Sequence, residues 1–274
     1  AFNSQNSNAV AIGNNAGYSN QGHNTIAIGS SSGSSNQTQY AIAIGFNAGY
    51  SNQGSNGVAI GDEAGKEGQG VNSIAIGYQT ANLNQATNAI AIGTGAGYDT
   101  QNQSAIAVGI NAGYFNQSSN SIALGSNAGS SNQSSNSIAI GISAGTSSQG
   151  INSIAIGDNA GLSNQNNATV AIGAQAGQYN QGISAVAIGN NAGNNSQNEN
   201  TISIGYGAGN YNQGSNSLAL GLDAAATDQG VNSIAIGNSS GSNTQGDNSI
   251  SIGINSGYDT QGLSCIALGD NTGK

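Results

Sequence analysis

Asn152-Ser153-Ile154-Ala155-Ile156-Gly157-Asp158-Asn159-Ala160-Gly161-Leu162-Ser163-Asn164-Gln165 is one copy of a pattern that runs from end to end of the 274-residue chain. The glycine closing the Ile-Ala-Ile triplet returns every sixteen residues, from Gly13 and Gly29 through Gly253 and Gly269, seventeen times without an insertion. In each copy two aliphatic residues flank a small one: Ile74 and Ile76 around Ala75, Val186 and Ile188 around Ala187, Leu218 and Leu220 around Ala219. Period two between Gly and Asn predicts a short strand, whereas a helix needs apolar residues three and four apart and tolerates little glycine. A second extended segment is expected after the Ala-Gly pair, as at Tyr50 to Gln53, with Gly-rich turns joining the two.

Sixteen residues then close one flattened coil, which stacks on its neighbours because a single coil cannot bury its own apolar residues. The expected architecture is all-β: a single-stack parallel β-solenoid, or β-roll, of about seventeen 16-residue coils with two short strands each. One continuous domain over 1–274 is expected, with no linker and no caps. Coils ~4.8 Å apart would make a rod roughly 80 Å long.

Four columns of equivalent residues are candidates for a role. The aliphatic pairs, among them Ile74, Ile76, Ile138, Ile140, Ile154, Ile156, Ile234 and Ile236, are assigned to the core of the coil. A glutamine recurs in every copy, including Gln21, Gln37, Gln53, Gln69, Gln133, Gln165, Gln213 and Gln261, and is read as a stacked amide ladder. The residue between the aliphatics is Ala in fifteen of seventeen copies, Ser203 and Ser251 being the exceptions. A solvent-facing strand position would carry mixed polar types, so this uniformly small column, with Ala75, Ala91, Ala139, Ala155 and Ala235, is assigned to contact with a second chain. Alternation alone leaves open which face is which. Positions five and six after the motif glycine vary freely and read as a solvated edge, where Tyr50, Tyr98, Tyr114 and Tyr258 are candidate surface contacts. A further edge position carries Val71, Ile151, Ile183, Val231 and Leu263, a candidate discontinuous contact stripe.

Composition narrows the function. Two Lys+Arg against eleven Asp+Glu give a formal charge of −9, the wrong sign for nucleic acid or an anionic membrane. The apolar runs are far too short to span a bilayer. Cys265 excludes an intrachain disulfide and falls in a column of small residues (Ser249, Ser233, Thr201), where a buried thiol is expected. Three Gly-x-Ser-x-Gly stretches, Gly29 to Gly33, Gly141 to Gly145 and Gly237 to Gly241, share one repeat phase, and the single His23 lies upstream at a variable edge, so no hydrolase triad is read there. Gly205 to Gly209 is the repeat's own glycine pattern rather than a phosphate loop. Asp62, Glu63 and Glu67 read as a solvated turn beside Lys66. No metal site, no cofactor and no enzymatic activity are expected. Asn-x-Ser/Thr occurs seven times, as at Asn36 and Asn116, a number this composition produces by chance.

The recurring Asn-Ser-Ile-Ala-Ile-Gly at Asn72 to Gly77, Asn136 to Gly141, Asn152 to Gly157 and Asn232 to Gly237 resembles the head repeats of YadA-like trimeric autotransporter adhesins, with similar repeats expected in phage or viral fibres. The resemblance implies a left-handed parallel β-roll, three chains side by side, and display on a bacterial surface or virion fibre. The Gln column and unvarying period are more regular than that family leads one to expect. Ala1 and Lys274 fall at almost the same point of the coil, so rods that stack head to tail, or a chain cut from a longer solenoid, are both expected readings. The favoured function is a non-enzymatic extracellular structural protein forming a stiff homo-oligomeric rod, fibre or filament. The alternatives are an adhesin head that binds glycans or matrix proteins and, third, an ice-binding protein, for which no regular Thr row is present.

Overall fold

The computed structural model describes residues 3–273; Ala1, Phe2 and Lys274, and with them the overlap in phase noted at the ends, lie outside the described residues. The chain is a parallel β-solenoid with two short strands in each sixteen-residue coil and no helix among the described residues. Two units are distinguished, 1–136 and 137–274. The first holds the aliphatic strands from Val10–Ile12 to Ile122–Leu124 and the glutamine strands from Asn3–Gln5 to Ser131–Gln133. The second holds the aliphatic strands from Ile138–Ile140 to Ile266–Leu268 and the glutamine strands from Ser147–Gln149 to Thr260–Gln261.

Within each unit every strand pairs in parallel with its equivalent one coil on, at a register of sixteen. Ile74, Ala75 and Ile76 lie opposite Ile90, Ala91 and Ile92, and in the second unit Ile154, Ala155 and Ile156 lie opposite Val170, Ala171 and Ile172. The ladder extends beyond the strands: the Gly49 N–H donates to the Ala64 carbonyl at 2.9 Å, and the Gly77 N–H to the Ile60 carbonyl at 2.9 Å. Backbone donors and acceptors in the turns are therefore satisfied by the next coil, which is what lets so short a strand persist.

The glutamine strand carries a repeated bulge. Its middle residue is left-handed, as at Asn20 (φ 54°), Asn52 (φ 57°) and Asn164 (φ 57°), and only its outer residues pair across, Ser19 with Ser35 and Gln21 with Gln37. Asparagine dominates this position because it reaches the left-handed region at lower cost than other side-chain-bearing residues. The motif glycine meets a stricter demand. Gly109 has φ +132°, and a Cβ there would lie 2.5 Å from the Gly125 carbonyl oxygen of the next coil, so neither the backbone nor the space admits a side chain.

The interior reverses the expected assignment of the two strand faces. Ala75, Ala91, Ala139, Ala155 and Ala235 are completely buried inside the coil, while Ile74, Ile76, Ile138, Ile140, Ile154, Ile156, Ile234 and Ile236 lie on the outer face and are half-exposed. Space is the cause. Inside each coil Ala meets a second small column (Ala16, Ala48, Ser32 and their equivalents), a third (Thr25, Ala41, Ser73), and the Gln side chain. A Cβ built on Gly113 would already lie 2.6 Å from Gln117 Oε1 and 3.3 Å from Ala107 Cβ, so an isoleucine pointing inward has nowhere to go. Alanines make the apolar part of this core, as in the cluster of Ala43, Ala48 and Ala59 and that of Ala208, Ala219, Ala224, Ala225 and Ala235.

Cys265 is also corrected. Its equivalents Ser233 and Ser249 are buried, whereas Cys265 is exposed.

Candidate functional site

The interior is lined by polar as well as apolar groups. Gln53 Nε2 donates to the Ile42 carbonyl at 2.7 Å, to the Gly57 carbonyl at 3.2 Å and to Gln69 Oε1 at 3.0 Å, while Gln53 Oε1 accepts from Gln37 Nε2 at 3.1 Å. The chain of amides runs from Gln21 to Gln133 in the first unit and from Gln165 to Gln245 in the second. In the second unit it breaks between Gln149 and Gln165, where Gln165 Oε1 is buried without a partner. The two serines of the Ala column fit the same scheme: Ser203 Oγ donates to Gln213 Oε1 at 2.6 Å and Ser251 Oγ to Gln261 Oε1 at 2.5 Å. Buried hydroxyls in the turn column return to the carbonyl three residues back, as Ser73 Oγ does to Gly70 O at 2.7 Å. A polar interior hydrogen-bonded from coil to coil in this way rigidifies a fold.

The outer face differs. In every coil the aliphatic strand points two branched side chains outward, and neighbouring coils align them into two columns, Val10 to Ile122 and Ile12 to Leu124 in the first unit, Ile138 to Ile266 and Ile140 to Leu268 in the second. Each is half-covered by its neighbours above and below and open sideways. The apolar character continues into the next position. The residue directly after the motif glycine is an exposed apolar one at Phe46, Tyr78 and Ile110 in the first unit and at Ile142 (60% exposed), Tyr206, Leu222 and Ile254 in the second. These residues were not singled out from sequence, although their recurrence directly after Gly was visible there. Val71, Ile151, Ile183, Val231 and Leu263 are exposed as well. Exposed apolar residues thus recur coil after coil on this face.

Two asparagine ladders in the left-handed conformation run along the coils: one at the middle of the glutamine strand, Asn20 to Asn36 to Asn52 with 3.0 and 3.1 Å bonds, and one in the turn before the aliphatic strand, Asn200 to Asn216 to Asn232 with 3.1 and 3.2 Å bonds. The candidate tyrosines stand in the other turn, directly before the glutamine strand. Tyr98 and Tyr114, in adjacent coils, stack with ring centroids 4.8 Å apart, and Phe115 packs edge-on against Tyr114 at 4.4 Å. Tyr50 borders a cleft with Tyr18, and Tyr258 is exposed in the second unit.

Ser31, Ser143 and Ser239, the serines of the Gly-x-Ser-x-Gly stretches, stand at the left-handed turn position that Asn holds in most other coils, with φ between 50° and 57°. Among the described residues no group of three or more His, Cys, Asp or Glu could hold a metal ion. Glu63 forms an ion pair with Lys66 at 2.8 Å and accepts from Gln79 Nε2 at 2.9 Å. The hydrogen bond from Lys66 holds the Glu63 carboxyl below its ordinary range, and the same bond holds the Lys66 ammonium above its own.

Fold and surface together define a repetitive β-roll whose chemistry is in its packing rather than in a pocket of reactive groups. The sequence profile of the YadA head domain repeat matches residues 21–48, 69–82, 133–160, 213–240 and 229–256. A comparison with curated proteins finds no match.

Proposed function

We propose that this chain is a non-enzymatic structural module of an extracellular fibre or surface appendage, and that it assembles with further copies of itself through the aliphatic face of its coils. One observation carries this reading: the aliphatic strands of both units present their Val, Ile and Leu side chains outward in unbroken columns. Each such residue gains about 1.5–3 kcal/mol on complete burial, and the coil interior, filled by Ala and Gln, supplies only part of that cover. The most economical partner is an identical face, since a repeat of fixed spacing matches another repeat of the same spacing at every coil. The assignment of the interchain face thus moves from the Ala column to the Ile columns. The YadA head repeats support a homo-oligomer, for which three chains side by side is the arrangement the resemblance implies.

Sedimentation velocity tests it. The wild-type chain should sediment as a multiple of its 26.7 kDa mass. The double variant Ile138→Asp/Ile154→Asp should sediment as a monomer with an unchanged β-type circular dichroism spectrum. A monomeric wild type at tens of micromolar contradicts the reading.

A second reading, an adhesin head at a cell surface, is favoured by the matched repeats and by the exposed tyrosines along the turn edge, which present broad amphipathic rings to solvent. Retention of cells or beads coated with this chain on immobilised glycans or matrix proteins, against bare controls, tests it.

A further inference from the structure

A cleft of about 270 Å³ opens on the turn edge of the first unit, bordered by Asn15, Tyr18, Ser31, Ser34 and Tyr50. The repeat explains its shape. Tyr18, Ser34 and Tyr50 are the same position in three successive coils, and the middle one has no ring. Where two tyrosines occupy this column in adjacent coils, at Tyr98 and Tyr114, their rings stack at 4.8 Å with only 14° between planes. One ring per coil is therefore the natural spacing. Two coil steps of ~4.8 Å separate the levels of Tyr18 and Tyr50 by about 9.6 Å, with the level of Ser34 left open between them.

We propose that this cleft is a binding slot for one neutral hexopyranose ring of a glycan, seated between Tyr18 and Tyr50. The spacing admits one ring at the level of Ser34, and the lining of hydroxyls and an amide selects a saturated, polyhydroxylated ring over a bare aromatic one. Its C–H faces meet the electron-rich faces of the tyrosines, and its hydroxyl rim meets the hydroxyls of Ser31 and Ser34 and the amide of Asn15. No charged side chain borders the cleft, which favours a neutral sugar over a uronic or phosphorylated one. The backbone that carries the polar side chains is fixed beforehand: Asn15 and Ser31 have φ 55° and 57°, and the Ser31 N–H donates to the Asn14 carbonyl at 2.8 Å. Preorganisation of this kind lowers the entropy lost on binding. Ser34 itself is buried at the base of the slot.

The inference rests on the adhesin reading and not on assembly through the aliphatic face, so the two fail separately. The test is saturation-transfer NMR of the methyl glycosides of glucose, galactose and N-acetylglucosamine against the full chain. At least one glycoside should receive saturation at its ring protons. Ser34→Tyr, which fills the slot with the ring that Tyr98 and Tyr114 show the column accepts, should lower that transfer at least fivefold. Tyr50→Ala should do the same by removing one wall, and Glu199→Gln in the second unit should leave it unchanged. Circular dichroism of all three variants should match the wild type. No transfer to any glycoside, transfer undiminished by Ser34→Tyr, or binding of phenol in preference to every glycoside overturns the proposal. If the glycosides bind to a wild type that sediments as a monomer, the slot stands and the assembly reading falls.

Discussion

The two strands of a coil solve the same burial problem in opposite ways. The glutamine strand turns its one large polar side chain inward and leaves Ser, Asn or Tyr outside; the aliphatic strand turns Ala inward and leaves Val, Ile or Leu outside. Polarity alone would assign the faces the other way round. What decides is the narrow lumen: it accepts an unbranched amide that hydrogen-bonds to backbone carbonyls and to the amide of the next coil, and it has no room for an isoleucine in place of Ala. The same inversion creates the apolar outer face on which the proposed assembly rests.

That contrast can be attacked from the inside first. Gly109→Ala, at φ +132° and against the Gly125 carbonyl, should produce the largest loss, about 3 kcal/mol or more, read as a collapse of the denaturant midpoint. Ala107→Ile, an overpacking of the lumen, should cost about 1–3 kcal/mol, whereas its outward neighbour Ile106→Ala should barely change the stability of a monomeric background; equal effects would erase the distinction between the faces. Gln117→Leu removes the bonds to the Ile106 carbonyl and to Gln133 and one of the acceptors of Gln101, for about 2 kcal/mol. Asn36→Ala, which keeps φ 54° but loses the surface ladder, should cost about 1 kcal/mol by chemical denaturation.

The smallest effect is electrostatic. Glu63 is held below the ordinary carboxylate range by its hydrogen bond from Lys66, so its contribution is complete above that range and is lost as pH falls through the lowered value. Lys66, held above the ordinary ammonium range by Glu63, contributes fully below that range and loses its share as pH rises through the raised value. Glu63→Gln should remove under about 1 kcal/mol at neutral pH and flatten this part of the melting-temperature profile in acid.

Much of this was legible in the sequence. The period, the two strands at Ile74–Ile76 and Leu83–Gln85, and the register of sixteen follow from glycine spacing and alternation, because parallel stacking forces equivalent residues into line. The amide ladder was legible for the same reason, since a position that never varies across seventeen coils is held by something in every one. The direction of the faces was not. Alternation says that Ile74 and Ala75 point oppositely but contains no measure of the lumen's width, and that width emerges only from the turns, where Gly, Asn and Ser in left-handed conformations close the coil tightly. The left-handed bulge at Asn20 and Asn52 was missed as well, because Ser-Asn-Gln reads as an ordinary polar strand end. Tyr18 and Tyr50 gain their interest only from Ser34 between them, a relation sixteen residues apart in sequence and one level apart in space.

Cysteine placement tests the orientation of the aliphatic strand most directly. In a Cys265→Ser background, Ile138→Cys and Ala139→Cys are compared by oxidation and by a short bismaleimide, with products resolved on a non-reducing gel. Ile138→Cys should yield covalently linked chains, and Ala139→Cys should stay single and resist labelling until the protein is unfolded. Linked or readily labelled Ala139→Cys beside an inert Ile138→Cys would contradict the account.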